Sequence, residues 1–435
     1  MASPFGDISR LAPAQWTKGT ATVLVAALTA LGLKIWMGLT TAGAGDVHYF
    51  KVWADMVRRY GVYGIYPVID PGGAAADHLP YNHPPLTGWM LRALEFLNQH
   101  GLPWPLLIRL PADLADFMVA LVVYDCLRRR QPRWKAVTAG VLTAFSPILF
   151  VISGFHGNTD PICAGLALLS GYLLADRKHP LAAGMVLAAA VSVKIPSVVA
   201  VLPLMVAAGL MGRRTLLRFA LGAAGVIAVL WGPLLWCLDS FAQDVLFYNG
   251  SFSHDWGVLG VVHMLRMPDW FSQLVLGPGR FVSLLLATGL GIWLVVRNRA
   301  EAAAAAALSM AAFLALSPSF GPQYLPWAGT GALLVDGLFG AIFTVVGGAY
   351  VVWLYNTWCG GLPWDKADIM GMTGQQLGVG TGVWAALCML VVQGLRVRLR
   401  GSGPAAGPGA GRHVGLGSQR SVPSTARTQR AAAER

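Results

Sequence analysis

About a dozen uninterrupted apolar stretches, most of them near the length needed to cross roughly 30 Å of hydrocarbon, constrain this chain more than any other feature. They lie at 20–41, 104–126, 135–153, 161–175, 180–195, 197–212, 216–238, 281–297, 301–317, 326–337, 339–355 and 377–396. The two shortest, 161–175 and 326–337, are marginal. Only 12% of the 435 residues are charged and 55% are hydrophobic, whereas a soluble domain carries about a quarter charged residues. The expected fold is therefore an all-α polytopic membrane protein with about 12 transmembrane helices.

Lys and Arg sort these spans by side. Arg128, Arg129, Arg130, Arg133 and Lys135 fill one connection, Arg177 and Lys178 another, Arg213, Arg214 and Arg218 a third, and Arg297 and Arg299 a fourth. The clusters occupy alternate connections, which by the positive-inside rule places them, and both termini, in the cytoplasm. Residues 42–103, 239–280, 317–327 and 356–376 are then non-cytoplasmic. Ala42-Gly43-Ala44 has the small-residue look of a cleavage site, but the apolar core before it is longer than a signal peptide's, so an uncleaved first helix is expected. In a bacterium the location would be the plasma or inner membrane.

The formal charge of +12 does not indicate nucleic acid. Residues 396–435 hold eight arginines and one glutamate, +7 of the total, in a Gly/Pro/Ala-rich segment that cannot form a core. The chain thus divides into a membrane domain, 1–395, and a basic, disordered cytoplasmic tail, 396–435. The five cysteines form no C-x-x-C pair, so neither a disulfide framework nor a thiolate metal site is indicated.

The first outer loop, 42–103, is far longer than a usual connection. From Val47 to Tyr60 its apolar residues recur as on an amphipathic helix lying in the interface, with Asp46 at the start as either a helix cap or a functional carboxylate. Tyr81-Asn82-His83-Pro84-Pro85-Leu86 comes later in the loop, its prolines fixing an extended or turning backbone; Tyr81 and His83 are interfacial anchors or site residues. Leu86 to Leu97 is too short to span. Arg109, Asp113 and Asp116 stand at membrane depth, where charges are costly, and Arg109 with Asp113 has the spacing of a pair on one helix face.

Farther on, Gly154-Phe155-His156-Gly157-Asn158-Thr159-Asp160-Pro161 marks an outer turn, with Asp160 placed to cap the next helix. Lys194 is a lone outer lysine in a tight connection, suited to an anion or to snorkelling. The second large loop, 239–280, adds Tyr248, His254, Asp255 and Trp256. The proline-rich turn 317–327 adds Gln323 and Tyr324, with irregular backbone of the kind that lines cavities.

Gly45-Asp46 just after the first span, Pro84-Pro85-Leu86 about forty residues on, the His156 turn before Asn158, and Lys194 in the next outer turn together resemble the GT-C glycosyltransferases. The dolichyl-linked glucosyltransferases are the nearest pattern, with bacterial mannosyltransferase-like relatives. The likeness covers most of residues 20–330. It departs at Asn82-His83, where the glucosyltransferases carry an acidic residue and tyrosine, and at Ile195-Pro196, which replaces a polar pair.

The resemblance implies a bundle with long outer loops, a polyprenyl-phosphate sugar donor, a lipid-linked or glycolipid acceptor, an inverting reaction on the non-cytoplasmic face, and Asp46 as base. Transfer to a hydroxyl does need a carboxylate to take its proton, and cationic or hydrogen-bonding groups beside the departing phosphate. Lys194, Arg109 and His156 are candidates for the phosphate, with His254, Gln323 and Tyr324 for phosphate or sugar. His48, Tyr81, His83 and Asp255 are assigned to the acceptor or to shaping the loops. Asp46 and His48 offer a divalent ion two ligands, but no spaced carboxylate set accompanies them, so no metal or other cofactor is expected. The rival readings are a secondary transporter of an amphiphilic or anionic solute, which needs polar access from both faces, and an assembly scaffold, which leaves the His, Lys and Asp set unexplained.

Overall fold

The computed structural model describes residues 18–68, 81–248, 257–318, 321–368 and 371–400. His254, Asp255 and the tail beyond residue 400 lie outside them. Every described element is helical, and almost every apolar run of the sequence coincides with one.

Helix α1 (Lys18–Thr40) is followed by α2 (Gly45–Tyr60) and α3 (Pro85–Gln99), the two amphipathic helices of the first long connection. α2 buries Val47, Phe50, Trp53, Ala54 and Val57 on one stripe, and α3 presents Leu91 and Leu94 to it. On the rim, Lys51 bonds Asp55 on its own helix at 2.8 Å and Glu95 on α3 at 2.9 Å. α4 (Trp104–Arg128) comes next, then α5 (Arg133–Ala144) and α6 (Pro147–Val151), whose run ends in a π-helical turn, Ile152–His156.

α7 (Asp160–Ala175) and α8 (Pro180–Val193) lead to a 3₁₀ segment, Ile195–Ala200, which feeds α9 (Val201–Leu210) and then α10 (Arg213–Trp231). Short helices α11 (Leu238–Phe241), α12 (Gly257–Met264) and α13 (Asp269–Leu274) occupy the second long connection. α14 (Arg280–Arg297), α15 (Ala302–Leu316), the four-residue turns α16 (Pro326–Gly329) and α17 (Ala332–Val335), α18 (Gly337–Trp358) and α19 (Gly374–Arg400) complete the order.

Among the described residues seven helical runs are long and apolar enough to cross a membrane, and α7, α8 and the run ending in α9 are shorter apolar helices. α4 matches them in length at 25 residues but carries charges. Large apolar side chains such as Leu221 and Val229 on α10 and Leu285 on α14 are more than half exposed; the surrounding hydrocarbon covers them. Inside, contact relies on small residues: Ala302 to Ala307 of α15 are all buried, and α8 and α10 cross so closely that a Cβ on Gly184 would lie 1.9 Å from the Phe219 carbonyl oxygen. Van der Waals packing of small residues is what holds helices together where water supplies no hydrophobic drive.

Two sequence expectations need correction. The run 326–337 is no helix of its own: it breaks at Thr330-Gly331 into α16 and α17. At the other boundary, α19 continues to Arg400, and Arg398 bonds Glu301 at 2.6 Å and the Val335 carbonyl at 2.7 Å. Residues 396–400 thus belong to the folded domain, because Arg398 finds an acid and free helix-end carbonyls there.

The basic connections gather at one end of the bundle. Asp125 receives Arg128 and Arg129, while Arg130 reaches Asp176 and the Ala300 carbonyl. Asp46, Asp160 and Lys194 stand at the opposite end.

Candidate active site

Asp46 lies in the first turn of α2 yet makes no capping bond to its own helix. Its Oδ2 accepts from His156 Nε2 at 2.9 Å and from Asn158 Nδ2 at 2.8 Å. Among the described residues no hydrogen bond reaches Oδ1, and the side chain is 29% exposed. The carboxylate is thus held by one oxygen and open at the other. Burial pushes its pKa up, but the contact and hydrogen bond with His156 and the nearby Lys194 ammonium outweigh burial and leave it below the usual carboxylate value.

The π-helical turn explains where His156 points. Such wide turns insert one residue into a helix and re-aim the side chains beyond it, and Gly157 closes this one in the left-handed conformation, φ 80°. His156 Nδ1 meets the Tyr355 hydroxyl of α18 at 2.5 Å. With the proton on Nε2, the ring donates to Asp46 and accepts from Tyr355, so both nitrogens are satisfied and the tautomer is set by its partners.

Lys194 ends α8 by adopting extended backbone, φ −156° and ψ 134°. Its ammonium bonds Asp160 Oδ2 at 2.7 Å and reaches Asn158 Oδ1 at 3.5 Å, 5.1 Å from the centroid of the Tyr324 ring. Burial alone would lower its pKa; Asp160 and Tyr324 reverse that and raise it, so it remains an ammonium. Asp160 caps nothing: its second oxygen accepts from Trp327 Nε1 at 2.6 Å.

His83 is wedged between aromatic rings, 5.2 Å centroid to centroid from both Phe50 and Trp53. It is 5% exposed, and neither ring nitrogen has a partner among the described residues. Burial and the neighbouring Lys194 hold its pKa well below the usual histidine value, so it is neutral. Tyr81 packs behind it, its hydroxyl likewise unpartnered among the described residues.

These groups open onto a cavity of about 1530 Å³. Asp46, His156, Asn158, Lys194 and His83 form its polar floor, joined by His48, Tyr248 and Gln323. Tyr324, Trp327 and Trp358 give it an aromatic wall, and Ile195, Val198, Leu276, Phe281 and Leu284 an apolar one. Among the described residues no three His, Cys, Asp or Glu side chains converge to hold a metal ion.

Two parts of the site were not visible in the sequence. The α18–α19 connection returns over the start of α2: Gly43 donates to the Asp365 carbonyl at 2.8 Å, Ala367 to the Gly43 carbonyl at 2.9 Å, and Ala42 to Asp365 Oδ1 at 3.0 Å. This strap brings Lys366 and Asp368, themselves paired at 2.9 Å, into the cavity wall. Tyr355 is the second, read only as part of an apolar span.

Arg109 is not among the cavity's lining residues. Its guanidinium bonds the Met37 carbonyl at 3.2 Å and Thr41 Oγ1 at 2.9 Å, bracing the end of α1. The expected pair with Asp113 is not made. Lys34 of α1 instead pairs with Asp116 at 2.5 Å, both buried. A lysine inside the first apolar run was the signal for that pair, since a charge there needs a partner.

A bundle of helices long and apolar enough to cross a membrane, with a carboxylate on the floor of a part-apolar cavity, defines the class: an integral-membrane protein with a polar site enclosed between its helices. Residues 82–236, from Asn82 through the Lys194 turn, match the family described as dolichyl-phosphate-mannose-protein mannosyltransferase. Over that segment the chain is similar to a family of GT-C membrane glycosyltransferases, and the match supports transferase activity. No curated protein matches it significantly.

Proposed function

We propose that the protein moves a hexose, mannose or glucose favoured, from a polyprenyl-phosphate donor to a hydroxyl of a lipid-linked or glycolipid acceptor, with inversion. The supporting observation is the asymmetry of Asp46: Oδ2 is fixed by His156 and Asn158, which aims the free Oδ1 at the cavity. There Oδ1 takes the acceptor hydroxyl proton as the oxygen bonds the anomeric carbon. The bond from that carbon to the phosphate oxygen breaks, and its electron pair leaves on the phosphate. The leaving group is already anionic, so no strong acid is required; the Lys194 ammonium stabilises the charge it gains. The apolar wall suits the polyprenyl chain, and neutral His83, whose two nitrogens have no partner among the described residues, is available to sugar hydroxyls. This route uses no cofactor. By the positive-inside rule the cavity faces the non-cytoplasmic side, with both termini in the cytoplasm.

Asp46→Asn keeps the shape and loses the proton acceptor. Single-turnover transfer from a polyprenyl-phosphate sugar should fall about 10²- to 10⁴-fold, the usual worth of general base catalysis, while donor binding is retained. Wild-type rates in this variant would reject the role of Asp46.

A further inference from the structure

At the end of the bundle opposite Asp46, a second cavity of about 350 Å³ is lined by Lys178, Arg214, Arg218 and Arg299, with Thr215 and Pro180. The four cations come from three connections: the α7–α8 turn, the start of α10, and the 3₁₀ turn Arg299–Glu301 before α15. Their surroundings differ from those of the neighbouring basic residues. Arg128, Arg129 and Arg177 are paired with Asp125, and Arg130 with Asp176. Among the described residues no acidic side chain pairs with any of the four around the cavity, and Arg299 is held only by the Leu210 carbonyl, at 2.7 Å.

The four side chains are exposed, so water and salt screen part of their mutual repulsion, and an anion seated among them would relieve the rest. Lys178 adds a separate observation. It holds φ at 58°, the left-handed conformation in which helix ends ordinarily place glycine. A lysine strained there is consistent with a use for its charge. The cavity also lies where α7, α9 and α14 end, beside α10, whose Leu217 and Leu221 side chains are exposed.

We infer that this cavity binds a phosphate-bearing anion, the headgroup of an anionic lipid, on the face opposite the transfer site. Two or three guanidinium and ammonium groups suit the oxygens of a phosphodiester, and basic pockets between membrane helices hold such headgroups. The inference is independent of the assignment of Asp46.

The test uses the full-length protein, with Lys178→Gly and Arg214→Gln/Arg218→Gln as variants. Lys178→Gly removes a charge while suiting the backbone, so it should fold at least as well as wild type. Native mass spectrometry of each protein, titrated with phosphatidylglycerol or phosphatidylcholine, measures retained lipid. Wild type should retain phosphatidylglycerol preferentially, and each charge removed should weaken retention about fivefold. Thermal melts with inorganic phosphate separate the sources. Stabilisation by phosphatidylglycerol alone identifies a headgroup, and equal stabilisation by inorganic phosphate, lost in both variants, identifies a free phosphate at the same site. If both variants retain phosphatidylglycerol as wild type does and phosphate stabilises none of them, the cavity is not an anion site and the inference is overturned.

Discussion

At the scale of single residues, the pairing of Lys194 with Asp160 changes how its role must be tested. Asp160 is fully buried, and removing one partner of such a pair costs about 3–5 kcal/mol because the other charge is stranded. Lys194→Met should therefore lower both stability and donor use. Adding Asp160→Asn should restore the melting temperature but not the donor KM, which should stay raised tenfold or more if the ammonium contacts phosphate. Recovery of both would show that the lysine only neutralises Asp160. His83 makes a pH prediction. Its pKa is depressed in the folded protein, so below about pH 6.5, the ordinary histidine value, the unfolded chain binds a proton that the folded one does not. Stability must then decline as pH falls through 6.5, by at most about 1.4 kcal/mol per unit. His83→Gln should remove that slope from denaturation curves taken between pH 7 and 5. Asp46 and Lys194 were legible as candidates because each is a charge at an unusual place. Tyr355 was not, since a tyrosine in an apolar helix looks the same whether it anchors an interface or holds a histidine.

Among the elements, the junction of α1 and α2 is the most constrained. Gly43 has φ 88°, and a Cβ there would lie 1.9 Å from Arg109 Nη2 and 2.6 Å from the Phe155 carbonyl oxygen. Strap, Arg109 and π-turn therefore converge on one glycine, just ahead of Asp46 in the chain. Gly43→Ala should displace the start of α2 and reduce kcat by tenfold or more, with donor affinity changed much less; a kcat within twofold of wild type would mean that α2 is placed by its buried stripe alone. That stripe was legible, because Phe50, Trp53, Ala54 and Val57 recur with helical period. The strap was not. Its contacts with Gly43 are mainly backbone hydrogen bonds, which any sequence can make, so residues 356–376 carry no pattern that marks them. The broken run at 326–337 misled for a related reason: its composition is that of a span, and only the packing of α16 and α17 against α15 shows that it bends.

For the molecule as a whole, the prediction concerns sidedness. With Cys359→Ser as background, Ala75→Cys and Asp255→Cys should react with a membrane-impermeant maleimide added from the non-cytoplasmic side of oriented vesicles. Reaction of either only from the cytoplasmic side would overturn the proposed orientation. The sequence by itself determined that the chain is an α-helical membrane protein, which connections share an end, and that polar chemistry concentrates at the other, because hydrocarbon length and the cost of buried charge act on each segment locally. Tertiary structure alone decided which oxygen of Asp46 is free, that Asp160 answers Lys194 rather than capping α7, that Arg109 braces α1 instead of lining the cavity, and that Tyr355 and the strap complete the site. Those outcomes depend on distances between segments up to some three hundred residues apart, such as Ala42 and Asp365, and no local preference encodes a distance of that kind.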